Sequence, residues 1–119
     1  MTLAVGEQLL DDFDTRLMQI SSAFAGGVAG TREELCGVLG AAAIIVGALY
    51  GRSYLGEDEE RGRRIIKRVR NQFVAKYGTS ICAPIRDEAR GPSGPGSCTE
   101  VVRESTQMLM DALAEDAAA

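Results

Sequence analysis

The sequence predicts an all-α fold, a compact bundle of about five helices around one central helix rich in small residues. Three observations carry that expectation. The stretch Cys36 to Gly51, CGVLGAAAIIVGALYG, holds no charge, yet it is shorter than the roughly 18–20 apolar residues of a membrane span. Apolar residues elsewhere recur at helical steps of three and four. No stretch alternates as a half-buried strand would, and nothing repeats. With 119 residues, 45% hydrophobic and 25% charged, a single helical domain over 1–119 with an ordinary core is expected.

In order, Leu3 to Leu10 reads as a short first helix. Asp12 or Asp14 can cap a second, whose Phe13, Leu17, Ile20 and Phe24 share one face. AGGVAG (Ala25–Gly30) breaks it, so residues 1–30 form a first helical pair and a glycine-rich loop. Thr31-Arg32-Glu33-Glu34 has the form of a capping box, which starts the central helix (31–51) at Thr31 and puts Cys36 in its second turn. Each glycine in that helix costs about 1 kcal/mol relative to alanine. So many small residues are expected only where other backbone comes close.

After a turn at Gly51–Gly56, residues 57–77 form the most polar helix. Glu57, Asp58, Glu59 and Glu60 suit its positive end, Glu59–Arg63 and Glu60–Arg64 are favourable i,i+4 pairs, and Ile66, Val69, Phe73 and Tyr77 make the buried stripe. Gly78 stops it. Residues 78–119 carry the other two cysteines. Pro84 at a first helical position places Cys82 at or just ahead of a short helix. GPSGPG (Gly91–Gly96) is a loop, and Ser97-Cys98-Thr99-Glu100 reads as a second capping box with Cys98 at the first helical position. Val102, Leu109 and Leu113 line the inner face of the last helix, and the tail AEDAAA is expected to fray.

The chain has no histidine. That excludes Cys–His zinc sites, serine–histidine catalysis and haem held by His. The net charge of −4 argues against whole-surface attraction to nucleic acid or to anionic lipid. Met1 to Glu7 carries no Lys or Arg, so no signal peptide opens the sequence and a cytoplasmic protein, with no membrane anchor, is expected. The run RGRRIIKRVR with Lys76 holds seven of the 13 basic residues. It reads as the solvated side of an amphipathic helix rather than as a nucleic-acid face, since no aromatic platform accompanies it. The Gly26–Gly30 loop lacks a preceding strand and a following Lys-Ser or Lys-Thr, so P-loop and dinucleotide readings fail. Tyr50, Tyr54 and Tyr77 read as core and rim. No acid–base pair suggests a reaction.

Three cysteines remain, Cys36, Cys82 and Cys98, at spacings of 46 and 16 residues that match no CxxC ribbon or ferredoxin run. In a reducing compartment structural disulfides are not expected, which leaves metal, redox chemistry or plain burial. Each cysteine falls near a predicted helix start. Unpaired amides and the dipole there favour a thiolate, most for Cys98 and least for Cys36.

SAFAGGVAGTREELCGVLGAAAIIVGALYGR (Ser22–Arg52), GTSICAPIRDE (Gly78–Glu88) and SCTEVVRE (Ser97–Glu104) together resemble a family of small redox-active proteins. That family carries one lone Cys, a Cys-Gly-Ala-x-x-Gly motif and two later lone Cys. In this chain the motif reads Cys36-Gly37-Val38-Leu39-Gly40-Ala41, with Val38 for its Ala and Ala41 for its final Gly. LAVGEQLLDDFDTRLMQ (Leu3–Gln19) resembles the segment on the C-terminal side of the family's first cysteine. That cysteine would fall just ahead of residue 1, so either the chain starts further upstream or it works with three thiols.

The resemblance implies electron-transfer or metal chemistry. The expectation is an iron–sulfur cluster, with a thiolate zinc site as the alternative, held by Cys36, Cys82 and Cys98. Gly26 and Gly27 of the loop and Gly37 are expected to let backbone approach it. The fourth corner is left to water, substrate or a second copy of the chain in a homodimer. An oxidoreductase partner would exchange the electrons. The competing expectations are a thiol–disulfide switch between Cys82 and Cys98 and a helical interaction module without cofactor.

Overall fold

The computed structural model describes residues 1–119 as six helices, one more than expected. They are α1 (Thr2–Leu9), α2 (Thr15–Ser22), α3 (Gly37–Tyr50), α4 (Glu60–Tyr77), α5 (Cys82–Arg90) and α6 (Thr99–Ala118). There is no strand, only a single antiparallel bridge between Leu35 and Ile81. None of the helices is long and apolar enough to cross a membrane.

α3 is the hub, packing against α1, α2, α4 and α6. It buries Leu39, Gly40, Ala41, Ala42, Ile45 and Val46. Close approach accounts for two of its glycines. A Cβ on Gly37 would meet the Phe24 carbonyl oxygen at 3.1 Å, and one on Gly40 would meet the Phe24 ring at 3.2 Å. Gly47 faces open space, so packing does not explain it.

The expected helix start at Thr31 does not form. Gly26, Gly27, Val28, Ala29 and Gly30 all have positive φ, from 54° to 73°, as does Arg32 at 65°. This is one left-handed turn, a conformation that costs about 1–2 kcal/mol per non-glycine residue. The Thr31 hydroxyl donates to the Gly27 carbonyl at 2.7 Å and accepts from the Glu33 N–H, instead of capping a helix. The next stretch of backbone is committed elsewhere. The carbonyls of Arg32 and Glu34 accept from Ala83 and Cys82, and the Cys36 N–H donates to the Ser80 carbonyl. Groups spent on that neighbouring segment cannot start a helical ladder, so α3 begins only at Gly37.

Asp14 is the cap of α2, its carboxylate accepting from the Arg16 N–H at 2.8 Å. The predicted apolar face of α2 is not buried: no residue of the helix is, and Ile20 is 53% exposed. Phe24, beyond its end, does the packing on α3.

α4 starts at Glu60, not Glu57, because the Asp58 carboxylate accepts from the Glu60 N–H at 2.9 Å. Its buried line is Gly62, Ile65, Val69 and Phe73, with Ile66 and Tyr77 only half-buried. In α6 the buried line is Val101, Ser105, Leu109 and Ala112, while Val102 and Leu113 are half-buried. Val69, Phe73 and Leu109 are buried as expected, while Ile65, Val101 and Ala112 are buried in place of Ile66, Val102 and Leu113, and α4 packs against both α3 and α6. Its inner face is set by two neighbours rather than one.

The basic run is answered largely by acids of α6. Glu59 pairs with Arg63 as expected, but Arg64 leaves Glu60 and joins Arg61 on Asp116, while Arg68 pairs with Glu115 and Lys76 with Glu104. Asp116 lies 2.7 Å from Arg61 Nε and 3.1 Å from Arg64 Nη2. α6 therefore continues to Ala118, where composition predicts fraying. The Arg61 hydrogen bond, then that of Arg64, holds the Asp116 carboxyl below the usual carboxylate range. A depressed carboxyl stabilises the fold above its ordinary range and loses that contribution as pH falls through the lowered value. Asp116→Asn is thus expected to lower the Tm at neutral pH, with the gap from the parent closing in acid. Thermal melts from pH 7 to pH 2 check this, and a gap that stays constant would exclude the ion pairs as its source.

Candidate thiol site

All three cysteines stand at helix starts. Cys36 is the residue preceding α3, Cys82 is the first residue of α5, and Cys98 is the residue preceding α6. Cys36 is thus at a cap and not in a second turn, Cys98 is one position earlier than expected, and Pro84 is third in α5 rather than first. Ser97 accepts from the Thr99 N–H instead of closing a capping box, and Glu100 turns to Arg103.

The Leu35–Ile81 bridge brings the first two cysteines together. Its hydrogen bonds, Cys36 N–H to Ser80 O at 2.8 Å and Cys82 N–H to Glu34 O at 2.9 Å, flank the bridged pair. Alternation then puts Cys36 and Cys82 on the face opposite Leu35 and Ile81, as diagonal neighbours. Such neighbours stand about 7–8 Å apart. Cys98 closes the group from α6.

All three thiols are free, and all three line one cavity of about 540 Å³ between α1, α2, α3 and α5. Gly26 and Gly37 line it as well. Gly27 does not; it lies buried behind Cys82, where a Cβ would come 2.7 Å from the Cys82 Cβ and 2.8 Å from the Arg32 Cα. The left-handed turn exists at the one place where its backbone must touch both.

Helix-start placement does not lower the Cys36 thiol. Burial pushes it up and outweighs the Val38 and Leu39 amides, which pull it down; the other two cysteines raise it further. A buried thiol held neutral is a poor nucleophile until a cation or metal offsets the charge. Its folded-state preference for the neutral form stabilises the protein below the ordinary thiol range and is lost as pH rises through the raised value. Cys36 and Cys82 are 7% and 8% exposed, whereas Cys98 is half-buried. Iodoacetamide on the metal-free chain should therefore label Cys98 first and Cys36 last, read by peptide mass mapping. Cys36 labelling ahead of Cys98 would contradict this burial order.

No group of three Cys, Asp or Glu side chains stands close enough to hold a single metal ion. The cavity wall includes Arg86 and Arg90, and no Asp or Glu. Sequence reasoning alone does not single out these two arginines. The signal is present, since Cys82, Arg86 and Arg90 fall at i, i+4 and i+8 on α5 and so on one face.

The family described as "Putative redox-active protein (C_GCAxxG_C_C)" matches residues 1–112. The chain belongs to the C_GCAxxG_C_C family. The matched range contains Cys36, Cys82 and Cys98, the chain's three cysteines. Read letter by letter, the C_GCAxxG_C_C pattern has Gly-Cys-Ala-x-x-Gly, which lays its closing glycine on Gly40 rather than on Ala41. Gly40 is the position pressed against the Phe24 ring, so the glycine has a packing reason. No curated protein and no solved structure matches the chain.

Proposed function

We propose that Cys36, Cys82 and Cys98 form a redox centre that holds an iron–sulfur cluster, and that the protein carries electrons for a larger oxidoreductase. One observation carries this reading: the only three thiols of the chain, from three different helix starts, face one cavity that no carboxylate lines. A cluster places iron and sulfide between its thiolates, so its ligands stand farther apart than those of one ion. A three-thiolate zinc site is the chemical neighbour, and the iron, sulfide and zinc content separates the two. The Val38 and Leu39 amides and the two arginines would offset the negative charge of such a group, and Gly26 and Gly37 would keep backbone low around it. A bound cluster supplies one-electron transfer. Water, a substrate atom or a second copy of the chain would complete the ligand set.

The test is iron, acid-labile sulfide and zinc per chain in anaerobically purified protein, with a visible spectrum. Iron with sulfide and a brown chromophore is expected, and Cys36→Ser, Cys82→Ser and Cys98→Ser should each lower the iron content. Unchanged iron in all three variants would sink the assignment. A chain that binds no metal after reconstitution would leave the thiol–disulfide switch. The half-buried Cys98, placed just after the Gly91–Gly96 loop, favours that second reading.

A further inference from the structure

The charge on the cavity wall is distributed unlike that on the rest of the molecule. The chain carries 17 acidic against 13 basic residues, and seven ion pairs occupy Arg52, Arg61, Arg63, Arg64, Arg68, Lys76 and Arg103. Arg86 and Arg90, like Arg16, Arg32, Lys67 and Arg70, have no carboxylate partner, but of these six only Arg86 and Arg90 line the thiol cavity, one helical turn apart on α5. The other sizeable cavity, about 290 Å³, is lined by Glu88, Glu100 and Glu104 with one cation, Lys76. Two unpaired guanidinium groups in a net acidic protein, facing a concavity with no acid, attract and orient an oxyanion. Leu3, Met18, Val38 and Ala41 give the same cavity apolar lining.

We propose that the thiol cavity binds a small organic anion, with its carboxylate head on Arg86 and Arg90 and its apolar body along Leu3, Met18, Val38 and Ala41. This deepens the redox reading, resting on the same cavity, and names the chemical class that would meet the thiol centre. A cavity of about 540 Å³, lined by the three cysteines, has room for such a molecule. Bidentate Arg–carboxylate geometry sets the head, and the apolar wall selects against small inorganic anions.

Two measurements on the full chain test it. In calorimetric titrations of the protein as purified, hexanoate should bind and hexanamide should not, and Arg86→Gln with Arg90→Gln should abolish the signal. Arg70→Gln, which lines no part of the cavity, should leave it unchanged. In the metal-free chain, the ratio of alkylation by iodoacetate to that by iodoacetamide should fall about tenfold in the double variant. A general change in thiol reactivity would move both reagents together and leave the ratio alone. Equal binding of hexanoate and hexanamide, or no binding of either, overturns the proposal, as does an unchanged ratio. Absence of iron from the purified protein bears on the redox centre only; the hexanoate titration still decides this inference.

Discussion

Gly27→Ala is expected to destabilise the protein by about 2–4 kcal/mol, the sum of a left-handed backbone penalty and an overpacked contact. Gly27 has φ of 71°, and its missing side chain leaves room for the Cys82 Cβ and the Arg32 Cα, each of which an alanine Cβ would approach within 3 Å. Neither neighbour can retreat cheaply. Arg32 accepts from the Ala83 N–H at 2.9 Å, and Cys82 donates to Glu34 at 2.9 Å, so both are locked in the bridge that holds two cysteines together. Gly30→Ala is the control. It has φ of 73° but nothing within 4 Å of its would-be Cβ, and should cost only about 1–2 kcal/mol of backbone strain. Urea unfolding of the two variants separates the terms. Equal losses would mean that the contact with Cys82 has no energetic weight. A larger loss at Gly27, together with faster alkylation of Cys82, is the expected result.

Phe73→Ala should lose more, about 3–5 kcal/mol, a large part of the stability of an ordinary domain. Phe73 is completely buried, in one cluster with Ile45, Val46, Ile65, Val69 and Leu109 from α3, α4 and α6, and its ring lies 4.8 Å from that of Tyr77. Truncation removes the ring and leaves a void that three helices cannot close together. Leu55→Ala, at a side chain 87% exposed, should change stability by no more than about 0.5 kcal/mol. Denaturant midpoints compare the two directly. A Phe73→Ala loss below about 1 kcal/mol would show that the helices close over the gap, contrary to close packing here.

Much of this architecture is legible in the residues because it rests on local chemistry. The charge-free run at Cys36–Gly51 is the central helix, Gly78 stops α4 with φ of 79°, and all three cysteines sit at helix starts. The features that escape the sequence depend on partners distant along the chain. Thr31–Glu34 has the form of a capping box, but its backbone pairs with residues 80–83, and a local motif cannot compete with those hydrogen bonds. α2 has a clean apolar face, yet no residue of that helix is fully buried. Composition alone predicts a frayed tail, yet Asp116 finds two arginines more than fifty positions away.

The amino-acid sequence by itself determined the helical class, the family, the identity of the three thiols and the lack of histidine among these 119 residues. All four come from composition, periodicity and motif, which are properties of the chain before it folds. Only the tertiary structure decided that the thiols share one cavity, that Cys36 is buried enough to hold its proton, and that two unpaired arginines stand beside it. Burial and electrostatic neighbourhood are sums over segments far apart in the chain. A left-handed turn and one antiparallel bridge set them here.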